Sequence, residues 1–164
     1  MGSAGAKYLA TKLGKMTKTI ELDLRVNNID DEGVKALIKS VPSSVKVLLL
    51  RNNKISCDGA KAIAEFLKTN QSVECLDLSD NDIGDDGAKA LAEAIKVNKT
   101  LKDLDLFHNA IADDGGKAIA AALEKCSLEE FDISANDIDP EAEYEMESGF
   151  KEHLAGPSES SKRE

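Results

Sequence analysis

Nucleophilic chemistry of the Cys–His kind would have to be drawn from Cys57, Cys75 and Cys126 with His108 and His153. It needs an imidazole within hydrogen-bond reach of the thiol. Cys75 opens one short alternating segment, and His108 lies just past the end of the next. On adjacent strands, five residues at ~3.3 Å each would hold the two roughly 16 Å apart. Cys57 and Cys126 fall at opposite ends of helical segments, so no Cys-x-x-Cys or tetrahedral zinc set is expected. Asp132-x-Ser134-x-Asn136, with Glu143 in the twelfth place, echoes a calcium loop, but Asp137 stands where the loop requires glycine. Phosphate-binding glycine loops and a Gly-x-Ser-x-Gly elbow are absent from the sequence. Asp77, Asp105 and Asp132 could imitate a glycosidase pair by distance, but on an open surface rather than in an enclosed cleft. The expectation is a protein that is not an enzyme and carries no cofactor or metal.

Composition narrows the class. The 164 residues hold 31 acidic and 21 basic side chains, a net charge of -10, with 41% hydrophobic residues, four Phe, two Tyr and no Trp. That is enough apolar chain for one folded domain. The acidic balance argues against wholesale binding of nucleic acid, and the scarcity of rings argues against base stacking. Uncharged apolar runs such as 118–123 fall far short of the roughly 20 residues of a membrane helix. The first residues, MGSAGAKYLATKLGK, contain no apolar leader, and Ala6 stands where a myristoylation pattern wants Ser or Thr. An odd cysteine count points to free thiols in the cytoplasm or nucleus.

The elements that must position these residues repeat. Asn27, Asn53, Asn81, Asn109 and Asn136 are spaced by 26, 28, 28 and 27 residues. Around each runs apolar-x-x-apolar-x-apolar-x-x-Asn-x-Ile, as in Val73, Leu76, Leu78, Asn81 and Ile83; in the first unit Thr19 takes the leading place. The first half of each unit alternates and reads as a short strand; the second half, as in Ala90, Leu91, Ala94 and Ile95, has helical spacing. Asp31, Asp85 and Asp113 stand where a helix start needs a cap, with Cys57 in that place in the second unit and Ser56 beside it. Asp58, Asp86 and Asp114 add negative charge in the first turn. One such unit cannot bury its own apolar face, so units must stack, strands joining a parallel sheet and helices an outer layer. Strands sit ~4.8 Å apart and helices ~10 Å apart, which bends the stack with the sheet inside.

The pattern L-x-x-L-x-L-x-x-N-x-I, repeated five times and followed in most copies by D-x-G-x-x-A-[LI], resembles the leucine-rich repeat family, and specifically its ribonuclease-inhibitor type. The resemblance spans about residues 5–154. It implies an α/β fold: a curved right-handed leucine-rich-repeat solenoid of about five repeats, with parallel strands on the concave face and helices on the convex face. The expected repeat domain is 1–155, with a helix half-repeat over 5–18, repeats starting near 19, 45, 73, 101 and 128, and a flexible tail over 156–164. Gly5 to Leu9 align with Gly59 to Ile63, so the chain opens on the helix half of a unit. Pro140 suits a first helical turn. Met146 and Phe150 take core places while Glu141, Glu143, Glu145 and Glu147 make a polar outer face, as a terminal cap requires.

The inner surface follows from this register. The middle strand positions hold Asp23, Leu49, Asp77, Asp105 and Asp132; two residues later come Arg25, Arg51, Ser79, Phe107 and Ser134, then Val26, Asn52, Asp80, His108 and Ala135. Carboxylates one strand apart repel and invite a cation or a partner's basic side chains, although aspartate there also serves solubility and turn bonding. Leu49, Val47 and Phe107 add apolar groups that have little reason to face solvent uncovered. The expected partner-binding residues are therefore Val26, Leu49, Arg51, Asp77, Asp105, Phe107, His108 and Asp132. The resemblance implies a non-enzymatic protein-interaction scaffold, a monomer whose partner is a protein with a basic patch, without nucleic acid or membrane. The alternative it raises is a GTPase-activating or other regulatory repeat protein acting on a small GTPase. Charge is graded along the chain: residues 1–82 carry 12 basic and 11 acidic groups (net +1), residues 83–164 carry 9 and 20 (net -11).

Overall fold

A computed structural model describes residues 1–155; the expected tail, 156–164, lies outside the described residues. Helix α1 (Gly2–Leu13) is followed by five strand–helix pairs: β1 (Glu21–Asp23) and α2 (Asp31–Ile38), β2 (Val47–Leu49) and α3 (Cys57–Thr69), β3 (Cys75–Asp77) and α4 (Gly84–Val97), β4 (Asp103–Asp105) and α5 (Asp113–Leu123), β5 (Glu130–Asp132) and α6 (Pro140–Ala155). The strands form one parallel sheet in sequential order. Equivalent residues stand side by side: Leu22, Leu48, Leu76, Leu104 and Phe131 are partners in turn, as are Asp23, Leu49, Asp77, Asp105 and Asp132. The result is the curved solenoid of alternating parallel strands and helices that the repeats require, with the strands lining the concave face.

Its core is a column of aliphatic rungs. Leu48, Leu76 and Leu104 from the strands, Leu50, Leu78 and Leu106 just beyond them, Ile55, Ile83 and Ile111 from the turns, and Ile63, Leu91 and Ile119 from the helices are all at most 2% exposed. Such thin layers are filled by Leu, Ile and Ala; in the last one Phe131 meets Phe150 edge-on at 5.9 Å.

The asparagines hold the turns. Asn81 donates from Nδ2 to the carbonyls of Leu50 and Leu78, while its Oδ1 accepts the Ile55 N–H at 3.1 Å. Asn53 and Asn136 do the same between their own neighbours. One side chain thus satisfies backbone groups of two repeats that no ladder bond reaches. The residue before each asparagine takes a left-handed conformation: Val26, Asn52, Asp80, His108 and Ala135, with φ between 52° and 58°. This conformation is costly for side chains with a Cβ, and it turns Val26 and His108 outward at the rim of the concave face.

The helix caps differ from expectation. Asp31 does not cap its own helix; its Oδ1 accepts the Ser56 and Gly59 N–H groups at the start of α3, at 2.8 and 2.9 Å. Asp85 does the same for Ala112 and Gly115 at the start of α5, and Asp113 accepts the Asp139 N–H ahead of α6. The caps within a unit are Asp30 for α2 and Asp139 for α6. Glycine is needed at 59 and 115 because a Cβ there would lie 2.5 and 2.6 Å from the incoming carboxylate. In the second unit Cys57 holds the place of the reaching aspartate, and α4 begins with no side-chain cap bond. Its first residue, Gly84, sits at φ +61°, where the equivalent Ser56 and Ala112 are extended. Bridges join Asp30 to Lys54, Ser56 to Asp82 and Ala112 to Asp137, but among the described residues none joins Gly84 to Ala110. The Oδ1 of Asn109, fully buried beside this break, has no hydrogen-bond partner.

Candidate partner-binding face

The expected residues fall into two groups and one outlier. Leu49, Asp77, Asp105 and Asp132 line one open trough of about 360 Å³ over β2–β5, together with Cys75, Leu76, Asp103, Glu130 and Phe131. Arg51, Phe107 and His108 lie at the strand ends instead. Val26, at 71% exposed, stands alone at the edge of the first repeat. Leu49, Val47 and Phe107 are half-buried rather than fully open, because neighbouring strands shield their flanks. Ser79, expected on the surface, is 1% exposed: its hydroxyl turns back to donate to Asp77 Oδ1.

Each carboxylate of the trough is partly engaged by its own strand. Oδ1 of Asp77, Asp105 and Asp132 accepts the N–H two residues on, from Ser79, Phe107 and Ser134, at 3.0, 2.9 and 2.8 Å. Burial raises the pKa of Asp105, and the charges of Asp77 and Asp132 beside it push the same way. Cys75 donates its thiol to Asp103 Oδ2 at 3.2 Å. Burial, that hydrogen bond and the surrounding carboxylates push this thiol up to about 12, so it stays protonated at neutral pH and is no nucleophile.

At the strand ends Asp80 joins two of the expected residues across three repeats. Its Oδ2 accepts from Arg51 Nε at 2.9 Å, and its Oδ1 lies 3.0 Å from His108 Nδ1. The His108 hydrogen bond and the Arg51 charge hold the Asp80 carboxyl below its usual range. Asp80 was not among the expected site residues, and the signal that could have found it is its spacing of about one repeat from each partner. Cys75 and His108 are each committed to a different carboxylate. The calcium echo is likewise absorbed by the repeat: Asn136 donates to the carbonyls of Leu106 and Ile133 and accepts two backbone N–H groups. Among the described residues no group of three or more His, Cys, Asp and Glu side chains is placed to hold a metal ion, and no helix is long and apolar enough to cross a membrane.

The parallel strands present a graded, open sheet face, the surface of a protein-interaction fold. The family model described as Leucine Rich repeat matches residues 19–37, 41–64, 69–92 and 97–120, more than half of the chain, and the protein belongs to the leucine-rich repeat family. The fifth unit and its cap, outside that match, are supplied by β5 and α6. Among solved structures, a leiomodin-1 fragment described as actin-binding site 2 superposes with a TM-score of 0.77 at 21% identity, covering 94% of this chain and 91% of that one. The tropomodulin C-terminal domain of Caenorhabditis elegans gives 0.72 at 17% identity, with 93% of each chain covered. These likenesses show a shared solenoid fold. No curated protein sequence matches the chain.

Proposed function

We propose that this protein is a non-enzymatic scaffold that binds the basic patch of a partner protein through its concave face and strand-end loops, using Val26, Leu49, Arg51, Asp77, Asp105, Phe107, His108 and Asp132. The observation that carries this reading is a contrast in charge pairing. Elsewhere the repeats neutralise one another: Lys46 with Glu74, Lys102 with Glu129, Lys61 with Asp86 and Lys89 with Asp114 each pair one repeat to the next. The trough carboxylates Asp77, Asp105 and Asp132 stand side by side in the sheet, and among the described residues they have no cationic partner. A complementary positive surface would relieve that repulsion and steer association, whereas a nucleic-acid backbone would add to it. On this reading the chain acts as a monomer in the cytoplasm or nucleus, where its three cysteines stay reduced. The 28-residue alternation of strand and helix supports the ribonuclease-inhibitor type within the family.

Charge reversal tests it. Asp105→Lys with Asp132→Lys removes two trough charges without exposing the buried Ser79 hydroxyl that Asp77 holds. The variant should keep its circular dichroism spectrum and lose capture of the partner taken from source-cell lysate by the wild type. Unchanged capture by a folded variant refutes the concave-face reading. A second reading is favoured by the leiomodin-1 likeness: actin as the partner, tested by cosedimentation with filaments. The regulatory alternative, action on a small GTPase, is tested by GTP turnover with and without the protein, and no acceleration rejects it.

A further inference from the structure

The two edges of the sheet are built differently. Along the ladder each strand entry repeats the same bonds: Lys46 and Val47 donate to the Ile20 carbonyl, Glu74 and Cys75 to that of Lys46, Lys102 and Asp103 to that of Glu74. The carbonyls of Leu49, Asp77 and Asp105 accept in turn from Leu24, Leu50 and Leu78. On the outer side of β1 the equivalent groups, the Ile20 and Glu21 N–H and the Asp23 carbonyl, have no partner among the described residues. Helix α1 nevertheless packs on α2, its Ser3 and Ala6 within 3.2 Å of where a Gly33 Cβ would be. A helix therefore stands in the outer layer with no strand of the described residues in front of it. The side chains flanking this edge are also exceptional. Ile20 and Val26 are 64% and 71% exposed. The column of Ile20 continues as Lys46, Glu74, Lys102 and Glu129, and that of Val26 as Asn52, Asp80, His108 and Ala135. A charge such as Glu129 discourages pairing at the far edge; the first repeat alone places large aliphatic groups in both columns. Val26 does so at φ 57°, a costly conformation for a β-branched residue. Residues 1–18 hold four lysines and no acidic residue, and of the four only Lys7 is ion-paired among the described residues, with Glu32.

We propose that the outer edge of β1 takes an extended segment of a partner protein as an added parallel strand, a segment with apolar residues at alternate positions and net acidic charge. Its direction and register are those of all four pairs in the sheet. One of its carbonyls accepts the Ile20 and Glu21 N–H groups, and the N–H four residues on donates to the Asp23 carbonyl. Its apolar row lies beside Ile20, Leu22 and Leu24 in front of α1, as each inner row lies beside its neighbour. Main-chain bonds supply the affinity of such an added strand and alternate side chains its specificity. The unpaired lysines around the edge favour acidic residues in it. Asp23 adds no free charge against them, because Arg25 of its own strand grips it at 3.0 and 2.8 Å. The site is separate from the trough over β2–β5 and does not rest on the concave-face reading; it also accounts for Val26, which stands apart from that trough.

The test uses the whole chain and, as probe, a peptide copying residues 71–81, QSVECLDLSDN, with Glu74→Val and Cys75→Ser and both ends blocked. Saturable NMR shifts are expected at the Ile20 and Glu21 amides and the Leu22 methyls. At ten times the half-saturating concentration, exchange of the two amides should slow about tenfold, since only the free form exchanges. N-methylation of the peptide at Leu78, the donor to Asp23, should abolish both effects. N-methylation at Asp77, whose N–H faces away in this register, should leave them. In the protein, Ile20→Glu with Val26→Asn installs residue types that the same columns carry in other repeats, so the fold survives, and binding should fall by about tenfold or more. A peptide with Asp77→Lys and Asp80→Lys should bind about fivefold more weakly at low salt. Absence of shifts, equal binding by a scrambled peptide, by the two N-methylated forms or by the charge-reversed peptide, or full binding by the protein variant overturns the proposal. Protection of the same amides that grows with chain concentration and without peptide would give the edge to a second copy of the chain and overturn it as well.

Discussion

Replacing Cys57 with aspartate should stabilise the protein by about 1 kcal/mol, the size of a restored helix cap. The reasoning comes from the column that Cys57 interrupts. Asp31 and Asp85 each reach forward with one oxygen to two N–H groups of the next helix start, at 2.8 and 2.9 Å in both cases. Cys57 occupies the same place opposite α4, its Cα 3.3 Å from where a Gly87 Cβ would be; the Cα of Asp85 is 3.0 Å from the equivalent point at Gly115. The space is therefore present and α4 has no side-chain cap, although the Gly84 N–H, which donates to the Asn109 carbonyl at 3.0 Å, would have to turn to the new acceptor. An anion at the first turn of α3 also suits the dipole of that helix. Opposing this, Asp58, Asp85 and Asp86 already crowd the region, while Lys61, paired with Asp86 at 3.7 Å and 4.0 Å from Cys57 Sγ, offsets part of the repulsion. For a chain of this length the net gain corresponds to a rise in Tm of about 2–4 °C. Cys57→Asn, an acceptor without charge, should recover part of it, and Cys57→Ala none. Added salt should enlarge the gain of the aspartate variant by screening its acidic neighbours. Calorimetry reads the stability, and slowed amide exchange at Gly84 and Gly87 reads the cap itself. An aspartate variant melting no higher than Cys57→Ala, with exchange unchanged, would show that capping between repeats does not set the start of α4.

Three further outcomes follow from the same geometry. Asn81→Ala strips partners from backbone groups of two repeats and should cost about 2–4 kcal/mol by urea unfolding; Asn27→Ala, whose amide donates only to the Arg25 carbonyl of its own turn, should cost about 1 kcal/mol or less. Asp105→Asn should raise Tm at neutral pH, because the carboxyl's pKa is raised in the folded state and its ionised form is disfavoured there. That penalty grows between the unfolded and the folded pKa and is complete above the latter, so the gap between variant and wild type should close as pH falls through the carboxylate range, and a gap independent of pH would exclude this cause. Phe150→Ala should cost about 3 kcal/mol and free the β5 and α6 amides to exchange first, since Phe150 closes the last layer against Phe131.

The repeat architecture was legible in the residues because its cause is local. Alternating leucines over three residues, helical spacing over ten and an asparagine at each strand exit specify one unit, and five copies force stacking. The identity of the concave row followed from the same register, and so did the polar cap over Met146 and Phe150. Which carboxylate meets which group did not follow, because those contacts join residues a whole repeat apart. Asp31 could be placed at a helix start from its position, yet only the packed helices show that it serves α3 and not α2. The D-x-S spacing of Asp77 and Ser79 was visible, but the burial of Ser79 depends on the turn folding its hydroxyl back onto Asp77. Cys57 could be seen breaking a column of aspartates, while the missing side-chain cap of α4 and the orphaned Asn109 oxygen beside it needed the neighbouring repeats in place. The chain's local periodicity therefore determined the solenoid and its faces, and tertiary contact decided the pairing of charges on them, since electrostatic partners are chosen by distance in space rather than along the chain.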